Sequence, residues 1–149
     1  MVFKQIDISK KERTEREAIA VGYLKAGKEV IAALKERKLP KGDALSCAEI
    51  SGIIGAKLTS QMLPLCHPIP ISFISVELNI VDEERVEAKA MIKSFSSTGV
   101  EMEAITAVSV ALLCLYDFCK MITKNLKIEN IHLLEKKGGK SKDFIWKET

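Results

Sequence analysis

Near the end of a long apolar stretch, the phrase YDFCK places Asp117 and Lys120 three residues apart, the spacing at which two helical side chains meet. A carboxylate beside an ammonium group in a partly buried setting is one way to tune an acid or base; the plainer reading is an ordinary ion pair. Lys41 lies in LPKGD, a Pro/Gly turn just ahead of an expected helix N-terminus. A cation is unfavourable there and an anion welcome, so the mismatch points to a bound phosphate.

Two further phrases carry polar groups suited to binding. In TGVEME, Thr98 and Glu101 have capping-box spacing, which gives Glu101 a structural reason to exist. Glu103 points to another side of the helix, so one cap cannot account for both carboxylates, and one of them is free to face a site. Glu103 and Asp117 are fourteen residues apart, which at ~100° per residue returns to nearly the same helix face. In PLCHP, Cys66 and His67 are adjacent on a stiff extended loop and project differently, which makes them poor partners for one metal ion. With His132 isolated and no zinc-like spacing elsewhere, no metal site is expected. His67 is then either satisfied by the backbone or available to a phosphate or base.

The tail phrase KKGGKSK differs from a Walker motif, because Leu134 stands where glycine is required and no helix follows. Its lysines, with Lys136, Lys137, Lys140 and Lys142, can close over a polyanion or stay solvated as a basic tail.

Positioning these groups falls to a short series of elements. Residues 16–24 read as a strand and residues 28–38 as a helix that Pro40 stops. Asp43 can cap a second helix running to about residue 58, with Lys57 in its last turn and Gly52 and Gly55 allowing close approach. The prolines of residues 64–70 exclude a helix there. Ile74, Val76, Leu78 and Ile80, then Val86, Ala88, Ala90 and Ile92, alternate with polar residues as two antiparallel strands do. Residues 101–123 form the strongest helix, apolar on nearly every face, which implies burial on two sides and points to a subunit interface. Residues 127–136 read as a last strand. The order predicts an α+β fold, a ferredoxin-like antiparallel sheet with helices packed on it. The whole chain, residues 1–149, is expected to be one domain with a polar arm (1–14) and a mobile basic tail (137–149).

Composition narrows the classes of function. The hydrophobic fraction of 47% with 29% charged residues suits a folded globular chain. Four cysteines without a C-x-x-C pair, and no leader pattern, fit a reducing cytoplasm. The longest apolar run is too short for the ~20 residues of a span, so no membrane is expected. A net charge of +3 with interspersed acids does not announce a nucleic-acid binder. An RNA-binding module would need stacking aromatics on the sheet, and only Phe73 and Phe95 lie near the hairpin. A catalytically silent assembly subunit would not need the set Lys41, Asp117 and Lys120.

The phrases LPKGD, AEISGIIGAK, LPLCHPIP, STGVEMEAITAVSVALLCLYDFCK and LLEKKGGKS, in that order, resemble the MoaC family along nearly the whole chain. In the arm and first strand, Asp7, Ser9, Lys10, Thr14, Arg16, Ala18 and Gly22 fall where that family has similar residues. The resemblance implies a lyase of molybdenum cofactor biosynthesis that takes 3′,8-cyclo-7,8-dihydroguanosine 5′-triphosphate to cyclic pyranopterin monophosphate and diphosphate. It also implies ferredoxin-like protomers in a homohexamer, a trimer of dimers with the site at a subunit interface, and no cofactor. It places catalysis on Asp117, Lys120 and Lys41. Substrate contact falls to Leu65, Cys66, His67, Glu101, Met102, Glu103, Lys136 and Lys140, with phosphate expected on Lys136, Lys140 and His67. Leu58 departs from a usual arginine and Lys142 from a usual glycine.

Overall fold

The computed structural model describes residues 1–149. In chain order it has β1 (Thr14–Lys25), α1 (Lys28–Lys35), α2 (Ala44–Met62), β2 (Ile71–Ile80), β3 (Arg85–Ser96), α3 (Glu101–Cys119), β4 (Lys127–Lys137) and β5 (Phe144–Ile145). The strands make one antiparallel sheet ordered β2-β3-β1-β4-β5. With α1 and α2 taken as one crossover, the first four strands follow the βαββαβ order of ferredoxin-like domains, so the expected fold class holds.

The period-two pattern explains which face the helices cover. Val86, Ala88, Ala90 and Ile92 of β3 are fully buried and pair in register with Ile80, Leu78, Val76 and Ile74 of β2. On β1, Ala18, Ala20 and Leu24 continue that buried face. The small residues make it shallow enough for α3 to lie close. At Gly22 a Cβ would stand 2.9 Å from both Val108 and Leu112 of α3.

Helix α3 is buried on two sides, as its all-round apolar sequence requires, but both covers come from this chain. Sheet strands β1, β3 and β4 take one side and α2 takes the other. The inference from two-sided burial to a subunit interface therefore does not follow; what α3 leaves bare is Leu113, 60% exposed, and Met102 in its first turn. By length and composition α3 could cross a membrane, and here it packs into this core.

Close approach of α2 and α3 depends on glycine at the crossing. A Cβ at Gly52 would lie 2.9 Å from the Ala107 carbonyl oxygen and 2.9 Å from Val76, with backbone on one side that cannot give way. Gly52→Ala should therefore destabilise the fold by ~1–3 kcal/mol through overpacking, despite the better helix propensity of alanine. A denaturant midpoint equal to or above that of the parent chain would contradict the close crossing.

Several boundaries differ from expectation for local reasons. Helix α1 stops at Lys35, because Arg37 adopts a left-handed φ of 53° and the Lys38 N–H closes on the Ala33 carbonyl at 3.1 Å. Helix α2 continues to Met62, so Lys57 is not in its last turn. Helix α3 ends at Cys119. The capping box is absent: the N-cap is Val100, two residues past Thr98, with no side-chain cap bond. Unforeseen from sequence, the tail adds β5 along β4, with the Trp146 N–H donating to the Leu134 carbonyl at 2.8 Å and its ring 4.5 Å from that of His132.

Candidate functional site

The last turn of α3 and the turn before α2 meet at one end of the helix pair. Asp43 caps α2, accepting the Ser46 N–H at 3.2 Å. That fixes the preceding turn, from which Lys41 reaches across to Asp117. The Lys41 Nζ touches one carboxylate oxygen of Asp117 and lies 3.4 Å from its carbonyl oxygen. Lys120, the C-cap residue of α3, places its Nζ 2.7 Å from the other carboxylate oxygen. Each oxygen of Asp117 thus has its own lysine, and all three side chains remain about half exposed. The counter-charge of Lys41 is Asp117, so the mismatch in its turn is relieved inside the chain and is no evidence for a bound phosphate.

Electrostatics follow from this geometry. Hydrogen bonds from Lys120 and then Lys41 pull the Asp117 carboxyl down to about 2. The same contact holds the Lys120 ammonium above its ordinary range. Lys120 is therefore held as an ammonium ion and Asp117 as the carboxylate anion bound to it.

A second group gathers at the opposite end of α3. Leu65, Cys66, His67, Glu101, Met102 and Glu103 line a cleft of about 380 Å³ between the proline-rich loop and the helix start. The loop leaves α2 at Leu63, which is extended ahead of Pro64. The N-terminal arm lies against it: Gln5 Nε2 donates to the Cys66 carbonyl at 3.0 Å, and Ile6, Ile8 and Lys11 line the same cleft.

Within the cleft, the two helix-start carboxylates have different fates. Glu101 pairs with Lys136 at 3.1 Å, and Lys136 also donates to Ser141 Oγ at 2.8 Å. Glu103 is the carboxylate left for a site. It is 3% exposed, forms no ion pair, and burial pushes its carboxyl up to about 6 against the opposing pull of its own backbone N–H. Burial, with Glu103 nearby, also raises the Cys66 thiol, so Cys66 lines the cleft in its protonated form. His67 makes no hydrogen bond within the chain, so the backbone-satisfied reading of this ring does not hold.

Sequence reasoning placed Arg16 only in a family pattern, yet it is a buried cation of this region. It is 8% exposed, donates through Nε to the Ser96 carbonyl at 3.3 Å, and has no carboxylate within ion-pair distance. Gly139, at φ 84°, passes so close that any Cβ would strike the guanidinium. The available signal was parity: Arg16 shares the inward register of Ala18 and Ala20. Lys140 follows that glycine turn and is exposed, without a partner in the chain.

Asp117 and Glu103 do share a helix face, but fourteen residues of rise separate them by ~21 Å. Within one protomer, the lysine–aspartate group and the cleft are two places, not one cavity.

The βαββαβ order, with two long helices on one face of the sheet, defines a ferredoxin-like α+β domain, and a carboxylate is held between two lysines where those helices meet. A family model described as MoaC family matches residues 5–139, and the chain belongs to that family. Among its relatives is a cyclic pyranopterin monophosphate synthase of Trichodesmium erythraeum, 47% identical over 97% of this chain and 87% of the relative. That of Peptoclostridium acidaminophilum is 44% identical over 95% of this chain and 89% of the relative. The Aquifex aeolicus synthase is also 44% identical over 95% of the chain, which spans 55% of that longer relative.

Proposed function

We propose that this protein converts 3′,8-cyclo-7,8-dihydroguanosine 5′-triphosphate to cyclic pyranopterin monophosphate and diphosphate, a lyase step of molybdenum cofactor biosynthesis. The observation that carries the reading is the seating of Asp117 between Lys41 and Lys120, joined to family membership over residues 5–139. Rebuilding a purine ring as a pterin needs protons delivered to nitrogen and removed from oxygen, which suits lysines held by a carboxylate. Closing the cyclic phosphate requires a sugar hydroxyl to attack the α-phosphorus as diphosphate leaves, and ammonium groups stabilise the charge that develops. Lys41 and Lys120 are the proton carriers, and Asp117 orients Lys120. His67, Lys136 and Lys140 receive phosphate, while Leu65, Cys66, Met102 and the two helix-start glutamates shape the rest of the substrate site. Phe95 and Phe73 are poor platforms for RNA bases, since Arg13 and Lys93 lie over their rings at 5.1 and 5.8 Å. Incubating the purified chain with the cyclised nucleotide tests the function: pterin and diphosphate should appear together. Unchanged nucleotide would end the reading.

Because ~21 Å separates the two groups in one chain, the complete site needs a neighbouring copy that brings its cleft to the lysine–aspartate end. Ile50, Ile54 and Leu58 form a bare stripe on α2 at helical spacing, with Ile50 59% exposed and Ile54 50% exposed. Such a stripe suits burial between copies in the homohexamer expected of the family. Ile54→Glu should lower the assembly mass in light scattering. Lys120→Ala and His67→Ala should each be inactive alone and regain turnover when dissociated, mixed and reassembled. Mixed oligomers that form and stay inactive would place both groups in one chain's site.

A further inference from the structure

Cys47 on α2 and Cys114 on α3 face one another across the helix pair with their sulfurs 3.7 Å apart, the Cys114 S–H donating to Cys47. Both are partly exposed, whereas Cys119 is buried and Cys66 lies in the cleft at the far end of α3. The crossing at Gly52 and Gly55 already holds the two helices close. We propose that Cys47 and Cys114 are a redox-sensitive pair that forms a reversible intrachain disulfide, using a low-molecular-weight disulfide as oxidant.

The exchange balances without a metal. Cys47, which accepts the Cys114 proton donor, attacks one sulfur of the oxidant RSSR and releases RS⁻. Cys114 then gives up its proton and attacks the Cys47 sulfur of the mixed disulfide, releasing the second RS⁻. Two cysteine protons and two electrons pass to the oxidant, giving two RSH. The Cys114 S–H points at the Cys47 sulfur, so the resolving thiol already touches the sulfur it must attack.

The disulfide would act on the lysine–aspartate group. Its sulfurs must close from 3.7 Å to the ~2.05 Å of a covalent bond. Cys114 is one turn before Asp117, and Cys47 is one turn after the Asp43 cap that fixes the Lys41 turn. Helix movement is therefore delivered where Lys41 meets Asp117, and small misplacements of reacting groups can cost up to ~10²-fold in rate. This consequence for turnover rests on the proposed function; the disulfide itself does not.

The full-length protein should be treated with oxidised glutathione and mapped by peptide mass spectrometry. Expected are a Cys47–Cys114 linked peptide, single-chain mobility on a non-reducing gel, and reversal by dithiothreitol. In Cys114→Ser a glutathione adduct should persist on Cys47. A stable adduct on Cys47 of the parent chain, a cross-linked dimer, or links through Cys66 would overturn the pairing. Diphosphate release from the cyclised nucleotide should fall about tenfold or more on oxidation and recover on reduction, within the range set by misplacement. The Cys47→Ser variant should work normally and ignore the oxidant. Unaltered turnover in a fully linked, otherwise active protein would overturn the coupling, whereas no turnover in the reduced protein would fault the proposed function and leave the mapped disulfide standing.

Discussion

Lys120→Ala is expected to lose turnover by ~10²–10⁴-fold, the range for a positioned acid or base, while the protein folds and assembles as before. Folding should be spared because the side chain is half exposed and the backbone bond from Lys120 to the Tyr116 carbonyl, 2.9 Å, does not need it. Lys120→Arg separates two roles. Arginine restores positive charge but holds its proton at any working pH, so a role limited to charge would be largely rescued and proton transfer would not. Asp117→Asn supplies a signature in pH. Asp117 now holds the Lys120 ammonium above its usual range, so removing that anion lowers the pKa of Lys120. The alkaline limb of kcat/KM should then move to lower pH, because the proton-bearing form is lost earlier. Full turnover in Lys120→Ala, or an alkaline limb unmoved in Asp117→Asn, would remove the pair from the chemistry.

How much of this was legible in the residues depended on range. Alternation in Val86 to Ile92 predicted the hairpin because burial on one face is a local constraint. The i, i+3 pairing of Asp117 with Lys120 was equally local. Lys41 is a different case: its turn signalled an unmet charge but not the partner, since Asp117 lies 76 residues away and is brought near only by the antiparallel crossing of α2 and α3. The capping-box motif misled because Glu101 had a stronger partner, Lys136, on a strand yet to be paired. The two faces of α3 were correctly read as buried, but an apolar face carries no label for what covers it, and α2 supplied the cover. Strand β5 has only two residues and left no periodicity to read.

Glu103 should make stability fall as pH rises, opposite to the usual behaviour of a salt-bridged carboxylate. Its carboxyl moves from 4.5 to about 6 on folding, so the folded chain binds the proton more tightly than the unfolded chain. The favourable contribution is full below 4.5 and disappears as pH rises through about 6. A shift of that size corresponds to a differential loss on the order of 2 kcal/mol at neutral pH. Glu103→Gln removes the titration but keeps the shape. Relative to the variant, the parent chain should therefore lose on the order of 2 kcal/mol in denaturant unfolding between pH 4.5 and 7.5, and any fixed cost of the buried amide cancels in the difference. Parallel stability profiles would dismiss burial as the cause. The same substitution should weaken substrate binding, read as a KM increase of ~10–100-fold for a lost hydrogen bond to a charged group. At neutral pH this carboxylate opposes folding and meets no cation in its own chain, and at the head of α3 its own backbone N–H is what partners it. A ligand presenting N–H donors to the cleft would satisfy it, so substrate should stabilise the parent chain more than the variant at pH 7.5 and by a similar amount at pH 4.5.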